Sequence, residues 1–255
     1  MDSELVLPYK YGMSWALKER RNIIIVSFSD EIIENSKPIY NISEILANTA
    51  NNSTFTIPNL IDWDGKDQKH LVHYINDHVN DNVMIIGIIP EMEDRSKIID
   101  WLLHKFWICC GGGHESVETH SRSESIHISN SLIQYIKDLM IHLRIHRLLV
   151  QGNGGGIHTG TLKDVILLGK CISGELHDRK FVIPEDIKQA LMWYGPWHMK
   201  VLTKEQWDQD TSLLYGSRPQ CVQQYFDTVA GVRTGSVAKE RLIIADVLKK
   251  VVPPI

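Results

Sequence analysis

Several places in this 255-residue chain carry residue types that could handle phosphate, metal or a nucleophile, and each chemistry requires its own spacing. Gly155-Gly156-Ile157-His158-Thr159-Gly160-Thr161 has the glycine spacing of a phosphate loop. Such a loop joins a strand to a helix, cradles phosphates with backbone N–H groups and sends a lysine to the outer phosphates. Here the preceding element is expected to be a helix, and Thr161 and Leu162 stand where Lys and Ser/Thr belong. A flexible helix–helix connection is the better account. Gly111-Gly112-Gly113 also follows an expected helix, with no metal-holding residues nearby. Phosphoryl transfer further needs an acidic pair at a buried strand end, one carboxylate for magnesium and one to polarise water. The apolar run Val83–Ile89 ends in Pro90-Glu91, so proline stands where the metal-binding aspartate would be. Glu91 then reads as an ordinary exposed strand-end glutamate.

Metal and nucleophile chemistry fare no better. His142 and His146 are four apart and could share a metal on one helix, but no Glu lies between them in the zincin pattern and no third ligand is indicated. They read as surface or core-edge residues. His114, His120 and His127 fall in a polar stretch without a workable ligand set. Ser217 lacks the flanking glycines of a serine elbow, because Tyr215 and Pro219 occupy those positions. Cys109, Cys110, Cys171 and Cys221 form no CxxC pair, and a bridge between adjacent cysteines would be strained, so reduced, buried thiols are expected. The expectation is therefore no catalytic residue, no cofactor and no metal.

The elements that would position these residues follow from periodicity. Ile23–Phe28 and Val83–Ile89 are nearly continuous apolar runs, as in strands buried on both faces of a parallel sheet. Thr54–Pro58 is a weaker strand candidate. Helices are expected at Met13–Arg20, Asp67–Val79 and Arg95–Phe106. The segment Gly111–Asn130 is glycine, serine and charge, which reads as a linker. Beyond it the chain reads as helical: Ser131–Val150, with Ser131 and Gln134 as a capping box; Thr161–Ser173, with Thr161 and Asp164 similarly placed; a helix opened by Pro184 and running toward Met192 or Tyr194; then Pro219–Val229 and Val237–Val251. The fold class is α/β: a small, mostly parallel sheet domain over 1–110, a linker over 111–128 and an all-helical domain over 129–255.

Composition narrows the class. Hydrophobic residues make up 43% and charged residues 23%, which supports a packed core, and the net charge of −4 argues against a chain built to coat nucleic acid. Charges run through the first thirty residues, so no signal peptide is expected, and no apolar run approaches the ~20 residues of a membrane helix. The expected setting is intracellular, nuclear or cytoplasmic, with no membrane partner.

The segment IKDLMIHLRIHR at 136–147, the glycine-rich break, the following helix and Phe181-Val182-Ile183-Pro184-Glu185-Asp186-Ile187 resemble the helical lid of the magnesium-chelatase and MoxR branch of AAA+ ATPases. That resemblance implies a small-residue turn carrying a nucleotide-sensing arginine. Here the turn is His158-Thr159-Gly160-Thr161, and the arginine is missing. A resemblance covering more of the chain rests on WLLHKFW at 101–107, the HLRIHR helix, SLLYGS at 212–217 and the ending KVVPPI at 250–255. Together these are similar to the yeast maintenance of telomere capping protein 2 family, with the first hundred residues matching only in layout. The resemblance implies a link to telomere capping, with no defined biochemical activity; the phosphate loop, acidic pair and sensing arginine missing from this chain make it a degenerate ATPase-like module.

The function expected is a non-catalytic scaffold or adaptor that binds an unidentified protein, with Arg144, His146 and Arg147 as candidate interaction residues. Ile136, Met140 and Leu143 define a buried stripe that Arg147 would continue if the helix ran on, placing it toward the core or an interdomain groove. If the helix instead ends near position 146, Arg147 only meets its last carbonyls. Two alternatives stand beside the scaffold. One is a divergent nucleotide-binding AAA+ protein with weak ATP affinity. The other is a nucleic-acid binder using Lys137, Arg144 and Arg147, against which the acidic chain and the lack of interleaved aromatics argue.

Overall fold

A computed structural model of the chain describes residues 7–27, 36–47, 52–111, 126–146, 148–150, 156–202 and 238–254. It divides into two compact units, Met1–Ser123 and Glu124–Ile255.

The first unit is built on five parallel strands: β1 Ile23–Val26, β2 Lys37–Pro38, β3 Thr54–Ile57, β4 Met84–Ile89 and β5 Ile108–Gly111. Their order across the sheet is β2-β3-β4-β1-β5. The central β4 reads MIIGII and is buried throughout, as expected for a strand covered on both faces. Registers are continuous: Ile24 of β1 lies between Gly87 of β4 and Cys109 of β5. Around the sheet lie α1 Tyr9–Glu19, α2 Ile42–Leu46, α3 Gly65–Asp77 and α4 Asp100–Leu103. Gly12 brings α1 onto β5, where an added Cβ would sit 2.7 Å from Cys110 Cβ.

This sheet corrects the sequence reading in two places. Ile108–Gly111 is an edge strand, where the sequence predicts no element between the helix ending at Phe106 and the linker starting at Gly111; a run this short shows no period. The helix expected over Arg95–Phe106 breaks into a 3₁₀ turn, Met92–Lys97, and the single turn of α4. Ile98 and Ile99 are extended between them, and the Ile99 N–H is drawn off to Gln68 Oε1 at 2.8 Å. The helix expected at Asp67–Val79 is α3, started earlier by Asp64, whose carboxylate accepts from the amides of Lys66 and Asp67.

The second unit is helical. It contains α5 Asn130–Arg144, α6 Thr161–Cys171 with a π-helical turn at Ile172–Leu176, α7 Pro184–His198 and α8 Ala238–Lys250. Pro184 opens α7 as the sequence indicates, and Asp186 Oδ2 accepts from the Ile183 N–H at 2.9 Å, closing the first turn. α7 runs past Tyr194 to His198, through Pro196. Two capping assignments change. Ser129, not Ser131, caps α5 by accepting from Leu132 N, and Gln134 bonds Asp138 instead. Gly160 precedes α6 without a side-chain cap, and Asp164 is turned to Tyr194.

The helix expected over Ser131–Val150 ends at Arg144. The chain then turns, and Leu149 bridges Val201 antiparallel, with Val150 N donating to Lys200 O and Leu202 N to Leu148 O. The end of the expected linker likewise belongs to this unit. Ile126 is buried beside Gly174, and His127 bridges Phe181. The boundary between the units falls within the expected 111–128 segment, but Gly111 and residues 126–128 are structured parts of their units. The helix expected at Pro219–Val229, together with Ser217, His114, His120 and Cys221, lies outside the described residues. Cys109, Cys110 and Cys171 are buried free thiols, and burial pushes the first two well above the usual thiol range.

Candidate functional site

In an open parallel sheet, ligands bind outside the carboxyl ends of the strands where neighbouring connections leave in opposite directions. Here that place lies between β1 and β4. The connection after β1 runs to the far edge at β2, while the one after β4 crosses to β5. The two strand ends are tied by Ser27 N donating to Ile89 O at 3.0 Å. The sequence leaving β1 is Ser27-Phe28-Ser29-Asp30-Glu31, with no glycine, no lysine and two acids. The sequence leaving β4 is Pro90-Glu91. Glu91 is exposed and sits at the N-cap of the 3₁₀ turn, where its carbonyl accepts from Asp94 N.

The glycine-rich segment with phosphate-loop spacing lies in the second unit, and three of its amides, those of Gly156, Gly160 and Thr161, are engaged internally. Gly156 N donates to Arg144 O at 2.9 Å, and a Cβ there would stand 2.7 Å from Leu149 Cβ and 2.8 Å from Leu143 O. Gly156 therefore lets the chain close against the end of α5. Gly160 N donates to His158 Nδ1 at 3.1 Å, and Thr161 N to His158 O at 3.3 Å. With Nδ1 accepting, His158 carries its proton on Nε2 and donates to the Tyr194 hydroxyl at 2.8 Å, which donates to Asp164 Oδ2 at 3.0 Å. The Tyr194 side chain is fully buried, so this chain of bonds ties the 156–161 turn to α6 and α7.

Of the candidate interaction residues, Arg144 is the half-buried last residue of α5. His146 lies past the helix end, with Nε2 3.8 Å from Asp246 Oδ2 on α8 and Nδ1 accepting from Leu148 N at 3.4 Å. Arg147 lies outside the described residues. The helix ends before position 147, so the stripe of Ile136, Met140 and Leu143 stops at Leu143, which removes the geometric premise for an inward Arg147. His142 is on α5 with Nδ1 against Asp138 O at 2.8 Å, and His146 is off the helix, so the two do not share a helical face.

A cavity of about 430 Å³ opens in the first unit beyond the ends of β2 and β3, lined by Tyr40, Asn41, Pro58, Asn59, Asp62, Trp63 and Asp67. Its walls are fixed locally. Asn41 caps α2 by accepting from Glu44 N at 3.1 Å, and Glu44 Oε2 accepts in return from Tyr40 N at 3.0 Å. Asn59 takes a left-handed φ of 50°, which asparagine tolerates better than most residues, and turns β3 into the 3₁₀ turn Leu60–Asp62. Gln68 is 1% exposed. Its Nε2 donates to the carbonyls of Trp63 at 2.8 Å and Lys97 at 3.1 Å, while its Oε1 takes the Ile99 N–H. Asp64 is held below the ordinary aspartate range, chiefly by the amide of Asp67. Lys97 is held above its ordinary range, first by its bond to Asp94, and it also feels Asp62. Sequence reading missed this site, although Gln68 on the Leu71, Val72 and Ile75 stripe of α3 was a visible signal: a polar residue on an apolar face needs partners.

The similarity to known proteins covers most of the chain. No family model matches it. It is 36% identical over 199 residues to maintenance of telomere capping protein 2 of Zygosaccharomyces rouxii, covering 70% of this chain and 61% of that protein. The same-named protein of Saccharomyces cerevisiae is 30% identical over 197 residues, 61% of this chain and 54% of that one. The Kluyveromyces lactis protein is 32% identical over 179 residues, 66% and 64%. The chain is homologous to these yeast proteins. It spans less than two thirds of the length of each of the three. Among solved structures, a candidate ATPase from Cytophaga hutchinsonii superposes with a TM-score of 0.61 over 99% of this chain and 92% of that one, at 12% identity. That match establishes a shared fold, α/β sheet followed by helices. Among the described residues no helix is long and apolar enough to cross a membrane.

Proposed function

We propose that the protein is a non-catalytic scaffold or adaptor, built on an ATPase-type fold and working intracellularly in the telomere capping for which its relatives are named. The observation that carries this reading is the switch point of the sheet. A phosphate loop needs glycine amides and a lysine between β1 and the next helix. The stretch that follows β1 reads SFSDE, with neither glycine nor lysine. At the neighbouring strand end Pro90 replaces a metal-binding acid. The glycine-rich segment of the second unit adds support, because the amides of Gly156, Gly160 and Thr161 are bonded within the protein. A fold that keeps two packed units while its ligand crevice is unsuited to nucleotide is suited to presenting surfaces to other proteins.

Phosphate release from ATP and magnesium, followed with the purified chain, tests the proposal. Release at the buffer rate is expected. A turnover abolished by Glu91→Gln would overturn the non-catalytic reading.

A further inference from the structure

The cavity beyond β2 and β3 lies at the sheet's edge, away from the β1–β4 crevice in strand order, and its lining is chemically selective. Tyr40 and Trp63 supply aromatic surface, Asp62 and Asp67 supply two carboxylates, and no lysine or arginine is among the lining residues. The adjacent start of α3 does not make this an anion site, because Asp64 already accepts the Lys66 and Asp67 amides. Tyr40 is 63% exposed, leaving its ring open to a partner. The walls are set before any ligand arrives, by the Asn41–Glu44 cap and the three bonds of Gln68, so binding needs little further ordering.

The geometry points to an arginine of a partner protein as the occupant of this cavity. A guanidinium is planar, so it stacks on tyrosine or tryptophan and presents parallel N–H donors to a carboxylate. It is also more weakly hydrated than an ammonium, so entering a half-enclosed aromatic site costs it less. A lysine would find the same charge but neither the stacking nor the fork. A neutral side chain of the same shape would offer Asp62 and Asp67 no charge-assisted bond inside the cavity; Lys97, which feels Asp62, is not among the lining residues. The partner is therefore a protein presenting an exposed arginine side chain. This deepens the adaptor proposal and rests on it.

The test uses the full chain and three fluorescein-labelled peptides of identical length, Gly-Ser-Xaa-Gly-Ser-Xaa-Gly, with arginine, lysine or citrulline at Xaa, read by anisotropy. The arginine peptide is expected to bind, the lysine peptide about fivefold more weakly, and the citrulline peptide not at all. Replacing both acids (Asp62→Asn with Asp67→Asn) is expected to weaken arginine binding about tenfold or more, and Tyr40→Ala about fivefold. Melting curves check that each variant is folded. If the double variant melts early, the exposed Asp62→Asn alone carries the comparison, with a loss of about threefold or more expected. Failure of the arginine peptide to bind would overturn the inference. So would equal binding of arginine and lysine, or binding indifferent to Asp62 and Tyr40, because either would mark diffuse attraction to an acidic chain. Phosphate release is measured on the same preparation. Turnover there would overturn the adaptor proposal, whereas absent binding without turnover would overturn only the arginine site.

Discussion

The two units bury polar anchors of different kinds. In the first unit the anchor is neutral: Gln68 satisfies two carbonyls and one amide around Trp63 and the 97–99 segment. In the second it is ionic: Asp186, 0% exposed, accepts from Arg179 and from the Ile183 amide, with His177 Nε2 3.7 Å away. The neutral anchor uses no charge, and the acids Asp62 and Asp67 are among the residues lining the neighbouring cavity. An ionic anchor uses its charge within the protein. The contrast fits the arginine site proposed for the first unit, and in the second unit it leaves the buried charge to internal order.

The largest effect is expected from the ionic anchor. Asp186→Ala leaves Arg179 and the Ile183 N–H without their acceptor at the start of α7. Removing one partner of a buried charge pair costs about 3–5 kcal/mol, and Arg179, 26% exposed, can recover part of that from water, so the lower end is expected. Thermal unfolding of the full chain should show a large fall in the transition of the second unit. Asp186→Asn, which keeps an acceptor oxygen, should lose less. Equal, small losses from both would mean that the charge is not what orders α7.

Backbone closeness comes next. Gly156→Ala places a Cβ against Leu149 Cβ and the Leu143 carbonyl, and the carbonyl belongs to backbone that cannot swing aside. Overpacking of this kind costs about 1–3 kcal/mol. A melting temperature equal to the parent's would mean that the glycine-rich break serves flexibility rather than fit.

Removing the neutral anchor should carry a comparable cost, with a local signature. Gln68→Leu keeps the apolar stripe of α3 and strands the Ile99 N–H and two carbonyls, at about 1–3 kcal/mol for a buried group left unsatisfied. Its distinguishing readout is Trp63, whose backbone Gln68 holds. A shift in tryptophan fluorescence with the second unit's melting unchanged is expected. Destabilisation spread evenly over both units would break the assignment of Gln68 to the cavity alone.

These anchors also mark how far sequence carries. The apolar runs of β1 and β4, the helix opened by Pro184 and the missing lysine of the 155–161 segment were all legible, because each depends on neighbours within a few residues. β5 was not, since ICCG becomes a strand only by pairing with Ile23–Val26 across more than eighty positions. The end of α5 at Arg144 was hidden for a related reason: the apolar period continues through Leu148, but Leu148–Val150 pair with Lys200–Leu202 instead. The cavity gathers Tyr40, Asp62 and Asp67 from three loops and helix starts, with no motif in common. Only Gln68, polar on an apolar stripe, signalled it.

The smallest effect, and the one that isolates charge on the cavity side, is at the α3 cap. Asp64 accepts from the amides of Lys66 at 2.8 Å and Asp67 at 2.7 Å, and these bonds hold its carboxyl below the ordinary aspartate range. A folded-state value below the unfolded one means that the stabilisation is present above the unfolded range and is lost as pH falls through the folded value. Asp64→Asn keeps an oxygen acceptor for the same amides but not the negative charge that favours a helix start. Comparing the two chains cancels the carboxylates they share, so their difference in melting temperature reports Asp64 alone. The parent should melt slightly higher near neutral pH, and the gap should close as pH falls from about 5 to about 2, across and below the ordinary aspartate range. The cap is exposed, so added salt should also narrow the gap at neutral pH. A gap that stays constant over the whole acid range would show that Asp64 acts only as a hydrogen-bond acceptor. The negative field at this end of the sheet would then come from Asp62 and Asp67 without help from the helix cap.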